Sequence, residues 1–163
     1  MENIKKEHWE KVFSTKAENE VSWYQIKPET SIQLINACKL PKDAKIIDIG
    51  GGDSYLIDSL LELGYTNLYL LDISESAIER SKKRLGANAD KVTFIVSDVL
   101  DFNPSVKFDA WHDRASFHFL TNKEDILKYI GNRQKPLATS QSVQPTTDNR
   151  QPITQAVPVS VNG

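Results

Sequence analysis

Two rhythms of apolar and polar positions take turns along this chain, a helical spacing and short apolar runs. Residues 2–13 (ENIKKEHWEKVF) and 28–39 (PETSIQLINACK) read as amphipathic helices. Pro28 stands at the start of the second, where a missing N–H costs nothing. Lys45–Ile49 (KIIDI) reads as a first buried strand. Residues Ser54–Leu63 return to helical spacing, with Leu56, Ile57, Leu60, Leu61 and Leu63 apolar and Gly64 as the stop. Asn67–Leu71 is a second strand, and Ser76-Ala77-Ile78-Glu79 matches a capping box opening a helix that runs to Leu85 and closes at Gly86. Val92–Val96 and Phe108–Trp111 are a third and a fourth strand, and Asn122 caps a last helix over Lys123–Ile130. Strands that alternate with helices predict an α/β fold, a parallel sheet with helices on both faces.

Composition changes near Ile130. The six Phe, five Tyr and three Trp all lie at or before Tyr129, whereas the remainder is rich in Pro, Gln, Thr and Ser. Such a segment buries too little apolar surface to offset its conformational entropy. The expected organisation is therefore one domain over residues 1–130 and a disordered tail over 131–163. Within the tail, Ile153–Val161 alternates like a strand that Pro158 would restrict to an edge. No internal repeat is present.

Charge narrows the partners. The 163 residues carry a formal net charge of −2, so no strong field favours nucleic acid or an anionic membrane. No apolar run approaches the roughly 18 residues of a membrane span. The single cysteine, Cys38, cannot form an internal disulfide, and the N-terminus lacks a signal-peptide core. These features predict a soluble, cytoplasmic chain without a metal site.

The stretch IIDIGGGDS carries the chemistry. A strand ending in three glycines offers bare backbone to a ligand at the carboxyl edge of a parallel sheet. A phosphate-binding P-loop requires a Lys after the glycines, and none follows. The dinucleotide fingerprint would need a small residue at position 55, where Tyr55 stands. A third pattern, D-x-G-x-G-x-[GS], uses Asp48, Gly50, Gly52 and Ser54, and its leading acid suits a ligand bearing an ammonium group. Asp72 ends the second strand twenty residues after Gly52, where a carboxylate can accept both ribose hydroxyls. Asp98 ends the third strand, within reach of an adenine edge.

Together with FDAWHDRASFHFL and the upstream HWEKVFSTKAENEVSWYQ, these motifs resemble the class I S-adenosylmethionine-dependent methyltransferases over roughly residues 7–130. The resemblance implies a Rossmann-like fold and S-adenosylmethionine as cofactor. It implies that Asp48, Gly50 and Gly52 lie along the methionine portion and Asp72 on the ribose. Ile73 would pack on the adenine, and Asp98 and Val99 would contact its amino edge. Trp23 and Tyr24 would belong to a segment folding over the cofactor, and Asp109–Arg114 would floor the site. The acceptor is a small molecule or a protein side chain, not nucleic acid and not a membrane component.

His112 and Asp113 end the fourth strand, where a general base would stand; the other reading has them bonding neighbouring loops. His118, between two Phe residues, suits a wall, His8 is solvated, and Lys82-Lys83-Arg84 is read as an exposed helix face. The resembling enzymes build seven strands, and strand-like sequence here stops after the fourth. That predicts a shortened sheet with an open strand edge and self-association through it. A non-catalytic remnant that keeps the cofactor pocket and, more distantly, a nicotinamide-dependent oxidoreductase are the alternatives.

Overall fold

A computed structural model describes residues 2–17, 20, 25–114 and 116–134. Helix α1 (Glu2–Thr15) and helix α2 (Glu29–Ala37) precede strand β1 (Lys45–Ile49). Helix α3 (Leu56–Glu62), strand β2 (Asn67–Asp72), helix α4 (Glu75–Leu85), strand β3 (Val92–Val96), strand β4 (Ala110–Asp113) and helix α5 (Lys123–Gln134) follow. The strands form one parallel sheet in the order β3-β2-β1-β4. The predicted α/β class is what the chain adopts.

Period-two alternation splits the strands between two cores. Ile46, Leu68 and Leu70 face one cluster, shared with Ile35 of α2, Leu56, Ile57 and Leu60 of α3, and Ile78 and Leu85 of α4. Ile47, Ile49 and Leu71 face the other, with Val99, Leu100 and Tyr129 of α5. Both faces are therefore covered, as a parallel sheet requires. The same alternation turns Asp48 toward the side of Ile46, the side on which α2 packs.

Several boundaries differ from the sequence expectation, each for a physical reason. Helix α4 begins earlier, because its N-cap is Ser74, whose hydroxyl accepts from Ala77 N–H at 3.2 Å, and not Ser76. Strand β4 lies two residues later than Phe108–Trp111. It starts where Asp109 grips the first residue of β1, its N–H on Lys45 O at 2.9 Å and its Oδ2 accepting from Lys45 N–H at 2.8 Å. It then continues through His112 and Asp113, polar residues whose partners lie inside the fold.

The end of the last helix, expected at Ile130, is also corrected. Helix α5 runs on to Gln134. Asn132 is buried, with its side-chain amide donating to Val99 O at 3.0 Å and Leu100 O at 2.8 Å. A Gln/Asn-rich composition hid a residue that satisfies a buried loop. Asn122 does cap this helix, accepting from Asp125 N–H at 2.8 Å. The alternating segment 153–161 lies outside the described residues. Among those described, no helix is long and apolar enough to cross a membrane.

Candidate functional site

Strand order reverses between β1 and β4, since the chain steps from β1 to β2 on one side and later returns to lay β4 on the other. Ligands of open α/β sheets bind outside the carboxyl ends of the strands at such a point. The glycine turn occupies it. Gly50 and Gly51 N–H both donate to Leu71 O, at 2.7 and 3.3 Å, which bends the chain sharply off β1. Gly50 takes φ +62°, and a Cβ there would stand 2.7 Å from Ser116 Oγ. Only glycine combines that dihedral with that approach.

Asp48 lies beneath the turn, 2% exposed. Register pairs it with His112 of β4, and its Oδ1 meets His112 Nδ1 at 2.7 Å. Its Oδ2 is buried with no hydrogen-bond partner. That oxygen points at Gly51, where a Cβ would come within 2.6 Å of it. A buried carboxylate oxygen left without a partner is costly, which marks Asp48 as a group to be explained.

Asp72 ends β2, 4% exposed. It accepts from Ser74 N–H at 2.9 Å and from the backbone of Gly52. Burial pushes its carboxyl from 3.8 up to about 7, and the charges of Asp53 and Asp48 add to the rise against those two hydrogen bonds. Helix α1 makes the roof. A Cβ on Gly52 would meet Asp72 Oδ2 at 2.9 Å and Phe13 Cζ at 3.1 Å, so Phe13, itself buried, closes over the turn beside Asp72. Glu10, one turn earlier, accepts from Ser74 Oγ at 2.8 Å and from Ser76 N–H at 3.2 Å, and also bonds the Ser76 hydroxyl. The Ser76 hydroxyl is the main cause that holds the Glu10 carboxyl below its usual range. At the start of α4 that carboxylate also faces the positive end of the helix dipole.

The remaining predicted residues fall around this centre. Ile73 is half-buried at the end of β2. Asp98 follows β3 and folds back on its own turn, accepting from Leu100 N–H at 2.9 Å. Val99 turns its side chain into the core, which leaves its backbone as the part able to meet a ligand. Trp23 and Tyr24 lie outside the described residues.

His112 and Asp113 do not stand as a free base. His112 is held between Asp48 and Ser31 of α2, whose Oγ lies 2.9 Å from Nε2. Asp113 Oδ1 accepts from Ser116 N–H at 2.8 Å and Ser116 Oγ at 2.9 Å, and Oδ2 accepts from Tyr129 OH at 2.6 Å. Burial pushes the Tyr129 hydroxyl well above its usual range, with the charge of Asp113 adding to it, so it stays a donor. Asp113 thus anchors the 3-10 turn Ser116–Phe119 that presents Ser116 to Gly50. The partners of His112 lie on β1 and α2, and those of Asp113 on the 3-10 turn and α5. His118 is exposed and stacks on Phe119, while His8 is exposed beside Trp9.

Sequence reasoning missed Ser31, Gly51, Phe13, Glu10 and the inner face of α4. Arg80 Nη1 binds Asp53 Oδ2 at 3.0 Å, and Arg84 Nη2 binds Asp58 Oδ2 at 3.1 Å and Ser54 O at 2.8 Å. Arg84 was expected on a solvated face; its side chain is only 12% exposed. The signal available was spacing, since Arg80, Ser81 and Arg84 share one helix face.

Comparison with known proteins gives the family and the fold. The family described as a methyltransferase domain matches residues 47–138. The mouse eEF1A lysine and N-terminal methyltransferase is 31% identical over 123 residues, covering 74% of this chain and 17% of that protein. Mouse EEF1A lysine methyltransferase 2 is 29% identical over 136 residues, covering 74% of this chain and 53% of that one. The chain therefore spans between about a sixth and a half of these two relatives. Among solved structures, the Haemonchus contortus phosphoethanolamine N-methyltransferase 1, in complex with phosphoethanolamine and S-adenosylhomocysteine, superposes with a TM-score of 0.62 at 20% identity. It covers 80% of this chain and 28% of that one. With more than half of its residues matched, including the turn, β2 and β4, the chain belongs to the methyltransferase domain family and carries the class I, S-adenosylmethionine-dependent methyltransferase fold.

Proposed function

We propose that this chain is a methyltransferase that uses S-adenosylmethionine as methyl donor. The single observation that carries the reading is the bare Oδ2 of Asp48 beneath the glycine turn. It fits the ammonium of the donor's methionine portion. Asp72, at the other end of the turn, would take the ribose hydroxyls, with Ile73, Asp98 and Val99 on the adenine side. When bound, the donor supplies an electrophilic methyl carbon on a sulfonium. The chain's part is to hold, orient and shelter it. Asp48 offers the charge toward a cationic ligand, since Asp53 is paired with Arg80 and burial raises Asp72 to about 7, and Phe13 of α1 covers the turn. With His112 and Asp113 engaged in structural bonds, the reading assigns the rate to placement, which can contribute about 7–11 kcal/mol in favourable systems.

The acceptor is a protein side chain or a small molecule. The names of the two relatives point first to protein amines. The cytoplasm is the compartment we assign, since one cysteine permits no internal disulfide. Calorimetric titration should give saturable binding of S-adenosylmethionine and S-adenosylhomocysteine and none of NADH. Transfer of labelled methyl to a lysine-containing protein fraction should then separate an enzyme from a remnant that only binds. A folded chain that binds neither adenosyl ligand would sink the reading, and binding of NADH in their place would revive the nicotinamide alternative.

Self-association is part of the same reading. Strand β4 pairs with β1 on one side and with no other strand among the described residues, and an open strand edge invites pairing. Sedimentation velocity should show a mass that rises with concentration; a single monomer mass across a hundredfold range of concentration would refute it.

A further inference from the structure

The hydrogen bonds that begin at Asp48 continue beyond β4 to a helix outside the glycine turn. We infer that Ser31 is a positioning residue for the donor's ammonium site, acting through His112; the inference rests on the methyl-donor reading above.

Strand register brings His112 alongside Asp48 but does not fix its ring. An imidazole turned over about its Cβ–Cγ bond would offer carbon where nitrogen is needed. Ser31, 5% exposed on α2, supplies the second point of attachment. Its Oγ lies 2.9 Å from Nε2 while Nδ1 lies 2.7 Å from Asp48 Oδ1. In the neutral ring this network assigns the proton to Nδ1, which donates to the carboxylate, while Nε2 accepts from the Ser31 hydroxyl. One oxygen of Asp48 is thereby tethered and the other is aimed. That other oxygen is the bare Oδ2, pressed against Gly51. Without the hydroxyl, a nearly buried ring nitrogen loses its partner, the ring is free to turn, and Oδ1 loses its donor. The carboxylate could then rotate and spend its charge on its own neighbours.

The test compares wild type, Ser31→Ala and Ser31→Thr, each shown to be folded by circular dichroism. Nitrogen-15 spectra of the unliganded proteins report the His112 tautomer. Calorimetry reports affinity for S-adenosylhomocysteine and for 5′-methylthioadenosine, which keeps the adenosine and thioether but lacks the amino-acid portion. The wild type should show one tautomer, protonated at Nδ1, and Ser31→Ala a mixture. Ser31→Ala should weaken S-adenosylhomocysteine about tenfold, as loss of one well-placed hydrogen bond allows, while 5′-methylthioadenosine changes less than about twofold. Ser31→Thr, which keeps the hydroxyl, should restore both tautomer and affinity. Equal weakening of both ligands would mean a merely structural residue and overturn the inference, as would an unchanged tautomer or unchanged affinity in Ser31→Ala. A folded wild type that binds neither ligand would instead overturn the methyl-donor reading, and the role of Ser31 with it.

Discussion

Replacing Asp72 by Asn should make the unliganded chain more stable above pH 7 and deprive it of its adenosyl ligand. Burial holds the Asp72 carboxyl at about 7 in the folded chain, against 3.8 when it is exposed. Between those values the folded state keeps a proton that the unfolded state has given up. Stability therefore falls as pH rises from about 4 to about 7, and above that the whole cost is present. At roughly 1.36 kcal/mol per pH unit it amounts to about 4 kcal/mol. Asparagine carries no charge to desolvate, so it escapes this penalty, less whatever is lost where an amide group meets the Ser74 or Gly52 N–H. Urea denaturation at pH 5 and pH 8 should show the variant gaining on the wild type at the higher pH. Calorimetry at pH 8 should show S-adenosylhomocysteine binding lost. A stability difference that does not grow with pH would mean that Asp72 is not desolvated as the fold implies.

Gly52→Ala is expected to damage both fold and site. The residue sits at φ +22°, and its new methyl would face Asp72 Oδ2 at 2.9 Å, Phe13 Cζ at 3.1 Å and Ala77 Cβ at 3.3 Å. A side chain in the left-handed region costs roughly 1–2 kcal/mol, and overpacking typically adds about 1–3 kcal/mol. None of the three neighbours can withdraw cheaply, since Asp72 is bonded to the turn, Phe13 is wedged in the roof and Ala77 is part of α4. Thermal unfolding should shift down by an amount matching roughly 2–5 kcal/mol, with adenosyl-ligand affinity falling in parallel. Wild-type stability together with wild-type affinity would show that the roof is not closed over the turn.

Much of this was legible in the chain. The helix–strand alternation gave the parallel sheet, and IIDIGGGDS with Asp72 gave the turn and two carboxylates, because backbone geometry demands glycine and strand ends demand caps. What escaped depends on contacts between distant segments. Ser31 is an unremarked serine in an amphipathic helix until β4 places His112 beneath it. Glu10 and Phe13 belong to a charged helix whose docking site, the start of α4, lies more than sixty residues away. The end of β4 was misplaced because strand reading follows apolar residues, and His112 and Asp113 are polar residues whose partners come from α2 and α5. Asn132 was lost to composition for the same reason: a single buried amide does not alter the statistics of a polar segment.

The ties between α4 and the glycine turn have a wider consequence. Ser81 Oγ bonds Gly52 O, Arg84 holds Ser54 O, and Arg80 holds Asp53, so the turn is bound to the helix through its own backbone and first acid. Local opening of a protein proceeds in contiguous units that share such bonds. The turn is therefore expected to open together with α4, with amide hydrogen exchange of the two protected alike. The basic run on that helix, which reads as surface, includes a residue that holds the turn, and sequence change at Arg80 or Arg84 would act on the turn from the neighbouring helix.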